Sequence, residues 1–230
     1  MALLDDLVAL IAPPRCAVCR AAPTHAREHL CAGCRRALPW LGAPCCPRCA
    51  LPLPHGRDGR CPAARAAFDG AWAAVAYEGA ARDVLLALKF CAARPLAEVM
   101  AAQIAAGAAL DPRATLVAVP AHPRRRRARG FDAAELIAAA LARRSGLPLA
   151  RVLRRGPGAS RQLGAARAVR RAAAGLDFRA RGPAPGRVVL VDDVHTTGAT
   201  LHACASALRY AGCRHIRAVT WARTLDDRCR

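Results

Sequence analysis

The chain has 230 residues, 54% of them hydrophobic, and a formal net charge of +20 at pH 7. That is enough for one medium domain with a core plus a small module, although much of the apolar share is alanine, which contributes little burial per residue. No run of about 18 apolar residues occurs, which argues against a membrane span, and Met1-Ala-Leu-Leu-Asp-Asp-Leu carries acid where a secretory signal carries base, so a reducing cytoplasm is expected.

Leu3, Leu4, Leu7, Val8, Leu10 and Ile11 have the spacing of a short amphipathic helix that Pro13-Pro14 would stop. Residues 16–64 then hold eight of the twelve cysteines. Cys16-x2-Cys19 is followed after eleven residues by Cys31-x2-Cys34, and Cys46-x2-Cys49 after eleven residues by Cys61. A shift of 30 maps the first set onto Cys46, Cys49, Cys61 and Ala64, so this is an internal repeat whose second copy lacks its last cysteine. Paired C-x-x-C turns each deliver two thiolates to one side of a metal, and two turns close a tetrahedron. Cys16, Cys19, Cys31 and Cys34 therefore predict a structural zinc site with no open position for catalysis. In the second copy Cys46, Cys49 and Cys61 are in register. Either Cys45 or His55 supplies the fourth ligand, or the copy is metal-free. Disulfides are the alternative, which a cytoplasmic setting disfavours.

From residue 67 the pattern is that of a separate domain. Ala71–Tyr77 reads as a strand, and Ala80–Lys89 as a helix with Val84, Leu85 and Leu88 on one face. A second helix is expected over Pro95–Leu110 and a strand over Thr115–Val119, closed by Pro120. Residues 120–131 read as a loop with five arginines, Arg124 to Arg127 and Arg129. Asp132 then caps a helix to about Arg144, with Glu135 in the capping-box position and Gly146 as the stop. Residues 151–187 are rich in arginine, glycine and proline and show no clear period. Within them Ser160 to Arg171 reads equally as a mobile flap or a solvated helix face. His215–Arg223 alternates as a strand does. Strands separated by helices predict a doubly wound, mostly parallel α/β sheet.

Val188–Val191 is an unbroken apolar run, suited to a strand buried on both faces. Asp192 and Asp193 follow, then Val194, His195, Thr196, Thr197, Gly198, Ala199 and Thr200, and then Leu201, Cys204, Ala205 and Leu208 at helical spacing, with Gly212 as a stop. A helix amino terminus suits a phosphate, threonine hydroxyls add donors, and Gly198 lets the backbone approach a ligand. Phosphate repels carboxylates, so the aspartates should meet ribose hydroxyls or a metal carried with the ligand. A sugar phosphate explains both halves, whereas a plain capping turn needs one such residue and not six. If the loop after Val119 opens at the same sheet edge, its arginines suit a pyrophosphate. A solvated basic loop or a nucleic-acid contact is the other reading. From Arg113 onward there are 24 arginines against 7 acids, so the positive field belongs to this half. Such a field favours anionic partners, but a GC-rich coding bias explains an arginine excess equally well.

These residues resemble the phosphoribosyl-pyrophosphate (PRPP) signature of type I phosphoribosyltransferases, and the order of motifs is similar to that of the ComF family of competence-associated proteins. The match rests on the double ribbon, Leu88-Lys89-Phe90, Val119-Pro120, Arg127-Ala-Arg-Gly-Phe-Asp132 and the 188–200 stretch. The resemblance implies a type I phosphoribosyltransferase fold at 67–230 behind a ribbon module at 1–66. It also implies Mg²⁺-PRPP as ligand, bound by Asp192, Asp193, Val194, His195 and the 196–200 loop, with Asp192 and Asp193 as the catalytic pair on the ribose, the loop on the 5′-phosphate, and Arg127 and Arg129 as candidates for the pyrophosphate. A role in DNA uptake, with DNA or uptake proteins as partners, is implied by the family; a non-catalytic nucleic-acid-handling protein is the alternative. Three positions depart from the family pattern: Asp132 and Ala173 stand where it has asparagine, and Ala64 where it has the eighth cysteine. Asp132 is thereby expected to bring negative charge near the anion site.

Overall fold

The computed structural model describes residues 15–25, 28–42, 44–55, 59–156 and 176–225. The expected amino-terminal helix, Ala173 and the 160–171 segment lie outside the described residues. The centre is a four-stranded parallel sheet in the order β1-β6-β5-β2, formed by β1 (Gly70–Ala76), β2 (Thr115–Ala118), β5 (Arg187–His195) and β6 (His215–Arg223). A two-stranded antiparallel piece, β3 (Leu153–Arg155) with β4 (Phe178–Ala180), occupies part of the stretch that showed no period. Strands of three residues are too short for a period to show.

Both sheet faces are covered, which is why Val188 to Val191 are apolar without alternation. On one face pack α2 (Gly79–Phe90), α3 (Leu96–Gly107) and α5 (Ala133–Ser145), through Val84, Leu85, Leu88, Met100, Ile104, Ile137 and Leu141 against Val189, Val191, Val219 and Trp221. On the other pack α6 (Ala199–Tyr210) and the β3–β4 piece, through Leu201, Cys204, Leu208, Leu153 and Phe178 against Val188, Leu190 and Ala218. Each fully buried leucine or valine contributes about 1.5–3 kcal/mol. No helix among the described residues is long and apolar enough to cross a membrane.

The two cysteine-rich copies divide between these layers. Cys16, Leu30 and Leu38 join the first core, while Cys46, Cys49, Ala50, Leu51 and Ala63 join the second. Residues 39–42 and 44–47, between the copies, run beside β1. Ala76 N donates to Pro39 O at 2.8 Å, Leu41 N to Ala74 O at 3.0 Å and Ala71 N to Pro47 O at 3.0 Å.

Two boundaries differ from expectation. β5 continues four residues past Val191, where the apolar run stops, so Asp192, Asp193 and His195 all lie on the strand ahead of the 196–200 loop; pairing with β6 through His195–Arg223 carries it on after β2 has ended at Ala118. Residues Pro123–Arg129 form a helix, α4, where a loop was expected. His122 caps it by accepting from Arg124 N, Pro123 sits in its first turn, and Gly130 closes it at φ +75°. Proline at the start and left-handed glycine at the end are the usual helix punctuation, but five arginines gave no apolar period to reveal it.

Candidate functional site

The first cysteine cluster is compact. Cys16, Cys19, Cys31 and Cys34 bring their sulfurs within 4.8 Å of one another. Cys19 Sγ lies 3.6 Å from Cys31 Sγ, close to the edge of a tetrahedron with metal–sulfur bonds of about 2.3 Å, which is about 3.8 Å. A disulfide needs about 2.05 Å, and every described cysteine is free. α1 (Ala32–Arg36) starts at Cys31, and the Cys31 and Cys34 amides donate to Cys16 Sγ and Cys31 Sγ at 3.5 and 3.4 Å. Burial pushes the Cys16 thiol up, but amides of Cys31, Cys19 and Val18 outweigh it and bring it down to about 6. Burial and the neighbouring sulfurs drive Cys34 far the other way. The four thiols cannot all ionise together without a cation among them, and zinc fits the donor set.

The second cluster settles its fourth member. Cys46, Cys49, His55 and Cys61 gather within 4.8 Å, with His55 Nε2 3.2 Å from Cys49 Sγ and Cys46 Sγ 3.8 Å from Cys61 Sγ. Cys45 is turned away, donating to Gly42 O at 3.0 Å. A Cys3His set also suits structural zinc. The register with Ala64 concealed this, because the histidine precedes Cys61 instead of following it.

The second candidate site lies at the carboxyl end of the sheet, where β5 outlasts β2. Alternation along a strand sends successive side chains to opposite faces. Asp193 meets Lys89 from α2, Oδ2 to Nζ at 2.7 Å, with both side chains largely buried. Asp192 accepts from the Asp193 amide at 2.8 Å. Burial, then the adjacent Asp193 charge, raises the Asp192 pKa well above the usual carboxylate range, with Asp132 adding and Lys89 opposing. Arg155, stacked over Phe178 at 5.1 Å, feels the Asp192 charge, and its Nε has no hydrogen-bond partner among the described residues.

Asp132 is 9% exposed and its carboxylate is tied to backbone, accepting from Ala121 N at 2.7 Å and Ala134 N at 3.1 Å. It joins the turn after β2 to the start of α5. Burial raises its pKa against those amides, and its charge reaches Asp192, so it does add acid near the site. Glu135 is not a reciprocal cap; its carboxylate pairs with Arg151.

Past β5, Thr196 and Thr197 are exposed and Gly198 adopts φ +81°. α6 begins at Ala199 with no side-chain cap bond, although Ala199 N donates weakly to Thr197 Oγ1 at 3.4 Å. His195 is turned inward. Its ring lies under Gly198, where a Cβ would stand 2.8 Å from Nε2, and meets Phe68 edge-on at 6.1 Å. Burial, then Arg223, lowers its pKa to about 3, so it stays neutral, and Nδ1 has no hydrogen-bond partner among the described residues.

The arginines of α4 spread around this end. Arg124 to Arg127 are exposed. Partial desolvation and the charges of Arg155, Arg124, Arg125 and Arg127 hold the His122 pKa down. Arg129 instead stacks over Phe90 at 4.9 Å, next in sequence to the lysine that holds Asp193. Lys89, Arg155 and Arg223 were not assigned roles by sequence reasoning. Lys89, the one lysine of the chain, stood out only as part of the Leu88-Lys89-Phe90 motif, and the two arginines carry no signal until the strands bring them to the site.

Residues 7–65 match the family model of a double zinc ribbon domain. No curated protein matches the chain.

Proposed function

We propose that this double zinc ribbon protein is a ComF-type, phosphoribosyltransferase-like protein that binds Mg²⁺-PRPP at the end of β5. One observation carries the reading. On an inner parallel strand, two carboxylates in unequal surroundings lead into a left-handed glycine and an uncapped helix start. Asp192 and Asp193 take the ribose hydroxyls; Thr196, Thr197, Gly198, Ala199 and Thr200 receive the 5′-phosphate; Val194 and His195 support that loop from the strand. Arg127 and Arg129 meet the pyrophosphate, and Mg²⁺ arrives with the ligand. In the transfer reaction an acceptor nucleophile bonds to ribose C1 as the bond to pyrophosphate breaks. The developing positive charge on the sugar is stabilised by the acids, and the negative charge gathering on the departing pyrophosphate by the arginines. The resemblance links such chemistry to DNA uptake.

Calorimetric titration of the zinc-loaded chain with Mg²⁺-PRPP tests this. The parent binds, and Asp192→Asn/Asp193→Asn binds at least about tenfold more weakly, as expected for lost charge-assisted hydrogen bonds. No binding by the parent overturns the reading, and unchanged binding in the variant removes the site assignment.

A nucleic-acid-handling role is the second reading, favoured by four consecutive exposed arginines on α4. Its mark is DNA affinity that falls steeply with salt and loses slope when those arginines become glutamine. With aromatic residues only 4% of the chain, stacking platforms for single strands are few.

A further inference from the structure

Arg223 closes β6 and is 2% exposed, yet its guanidinium joins two parts of the chain that are distant in sequence: the second cysteine cluster and the end of β5 with the loop after it. Nε donates to Cys49 O at 3.0 Å. Nη1 donates to His195 O at 2.9 Å, to Thr224 O at 2.8 Å and to Thr196 O. Cys49 is one of the four cluster residues, while His195 ends β5 and Thr196 begins the loop. A guanidinium is a rigid planar fork, so it fixes these carbonyls relative to one another. The packing beside it follows the same line. Phe68, in one buried cluster with Cys46, Cys49 and Ala63, lies against His195, whose ring fills the space under Gly198.

We infer that Arg223 is a positioning residue for the phosphate loop, and that zinc at Cys46, Cys49, His55 and Cys61 sets the geometry of that loop through it. With metal bound, the Cys49 turn is pinned and its carbonyl stays on Nε. Without metal only weak thiol and imidazole contacts and the turn's own backbone bonds hold its four donors together, and the carbonyl is freer to leave. A buried N–H then lacks its acceptor, which is costly enough that the guanidinium moves and takes the His195 and Thr196 carbonyls with it. Coupling of this kind is reciprocal: a ligand that fixes the loop also slows metal loss. The identity of the ligand rests on the PRPP reading; the coupling itself does not.

Amide hydrogen exchange over residues 195–199 is measured without ligand in the zinc-loaded chain, in His55→Ala, which keeps all four cysteines of the first cluster, and in Arg223→Lys and Arg223→Met. Exchange rises about tenfold in His55→Ala and Arg223→Met, with Arg223→Lys between. Mg²⁺-PRPP affinity falls by about the same factor, and a chelator strips the second zinc from the parent about tenfold more slowly when Mg²⁺-PRPP is saturating. Unchanged loop exchange in His55→Ala overturns the coupling whether or not PRPP binds. So does an Arg223→Met chain that melts earlier but keeps the parent's loop exchange. Raised exchange together with no PRPP binding by the parent upholds the coupling and overturns only the ligand reading. If Arg223→Met does not fold, the His55→Ala and chelator measurements decide.

Discussion

Asp192 and Asp193 are adjacent in the chain and unlike in their surroundings. Asp193 has an ammonium 2.7 Å away, whereas Asp192 is held against ionisation by burial and by the charge beside it. The sign of the consequence is fixed by linkage. A carboxyl whose folded-state pKa is raised binds its proton more tightly folded than unfolded, so its contribution is favourable in acid and is lost as pH rises through the raised value. Asp192→Asn should therefore melt above the parent at neutral pH, by about 1 kcal/mol, as is common when a functional charge is removed. The advantage should vanish below about pH 4, where both states of the parent are protonated. Thermal melts across pH check this, and a variant that melts below the parent at pH 7 would contradict it. The lone free-standing signal for the pair was its spelling in the sequence. The inequality was not legible there, because Lys89 is 104 positions away and only the parallel sheet brings α2 beside β5.

At the scale of elements, legibility followed burial. β1, α2, α3, α5 and β6 appeared in the sequence close to where they stand, since each has one apolar face turned to a core. α4 and the last four residues of β5 did not, since α4 has no buried apolar face and the strand extension is mostly polar in sequence. The helix is held by its punctuation, and the strand extension by pairing with β6. The ribbon was readable for a different reason: cysteine spacing is a statement about metal geometry and needs no core. Its second copy stayed ambiguous only at the fourth ligand, which depends on how a short turn folds back to bring His55 to Cys49. Metal analysis of the purified chain should give about two zinc ions per protein. His55→Ala should give about one and Cys45→Ser still two. Two ions in His55→Ala would return the fourth position to another residue.

At the scale of the whole molecule, the two cysteine clusters are not an appendage to the sheet. One contributes to the core on one face and the other to the core on the opposite face, so each zinc stabilises a different layer. Between them, Pro39, Leu41 and Pro47 satisfy backbone groups of β1 that have no neighbouring strand on that side. That arrangement has a cost when metal is scarce. An outer strand stripped of its cover presents a row of open amide and carbonyl groups, which is a template for another copy of the same chain. β1 is apolar throughout, with the sequence Gly-Ala-Trp-Ala-Ala-Val-Ala, and carries no charge to discourage such pairing. Chelation should therefore turn a chain of net charge +20, which ought to repel itself, into assemblies rich in intermolecular β-structure, detectable by light scattering and infrared spectroscopy. Trp72→Lys, which places a charge at the one position of that strand that is not buried, should delay them even with the metal removed. A chelated chain that only loses structure and stays monomeric would contradict this. In that light zinc acts as a quality mark: a copy that has found its metal is sealed at its open margin, and one that has not is sticky.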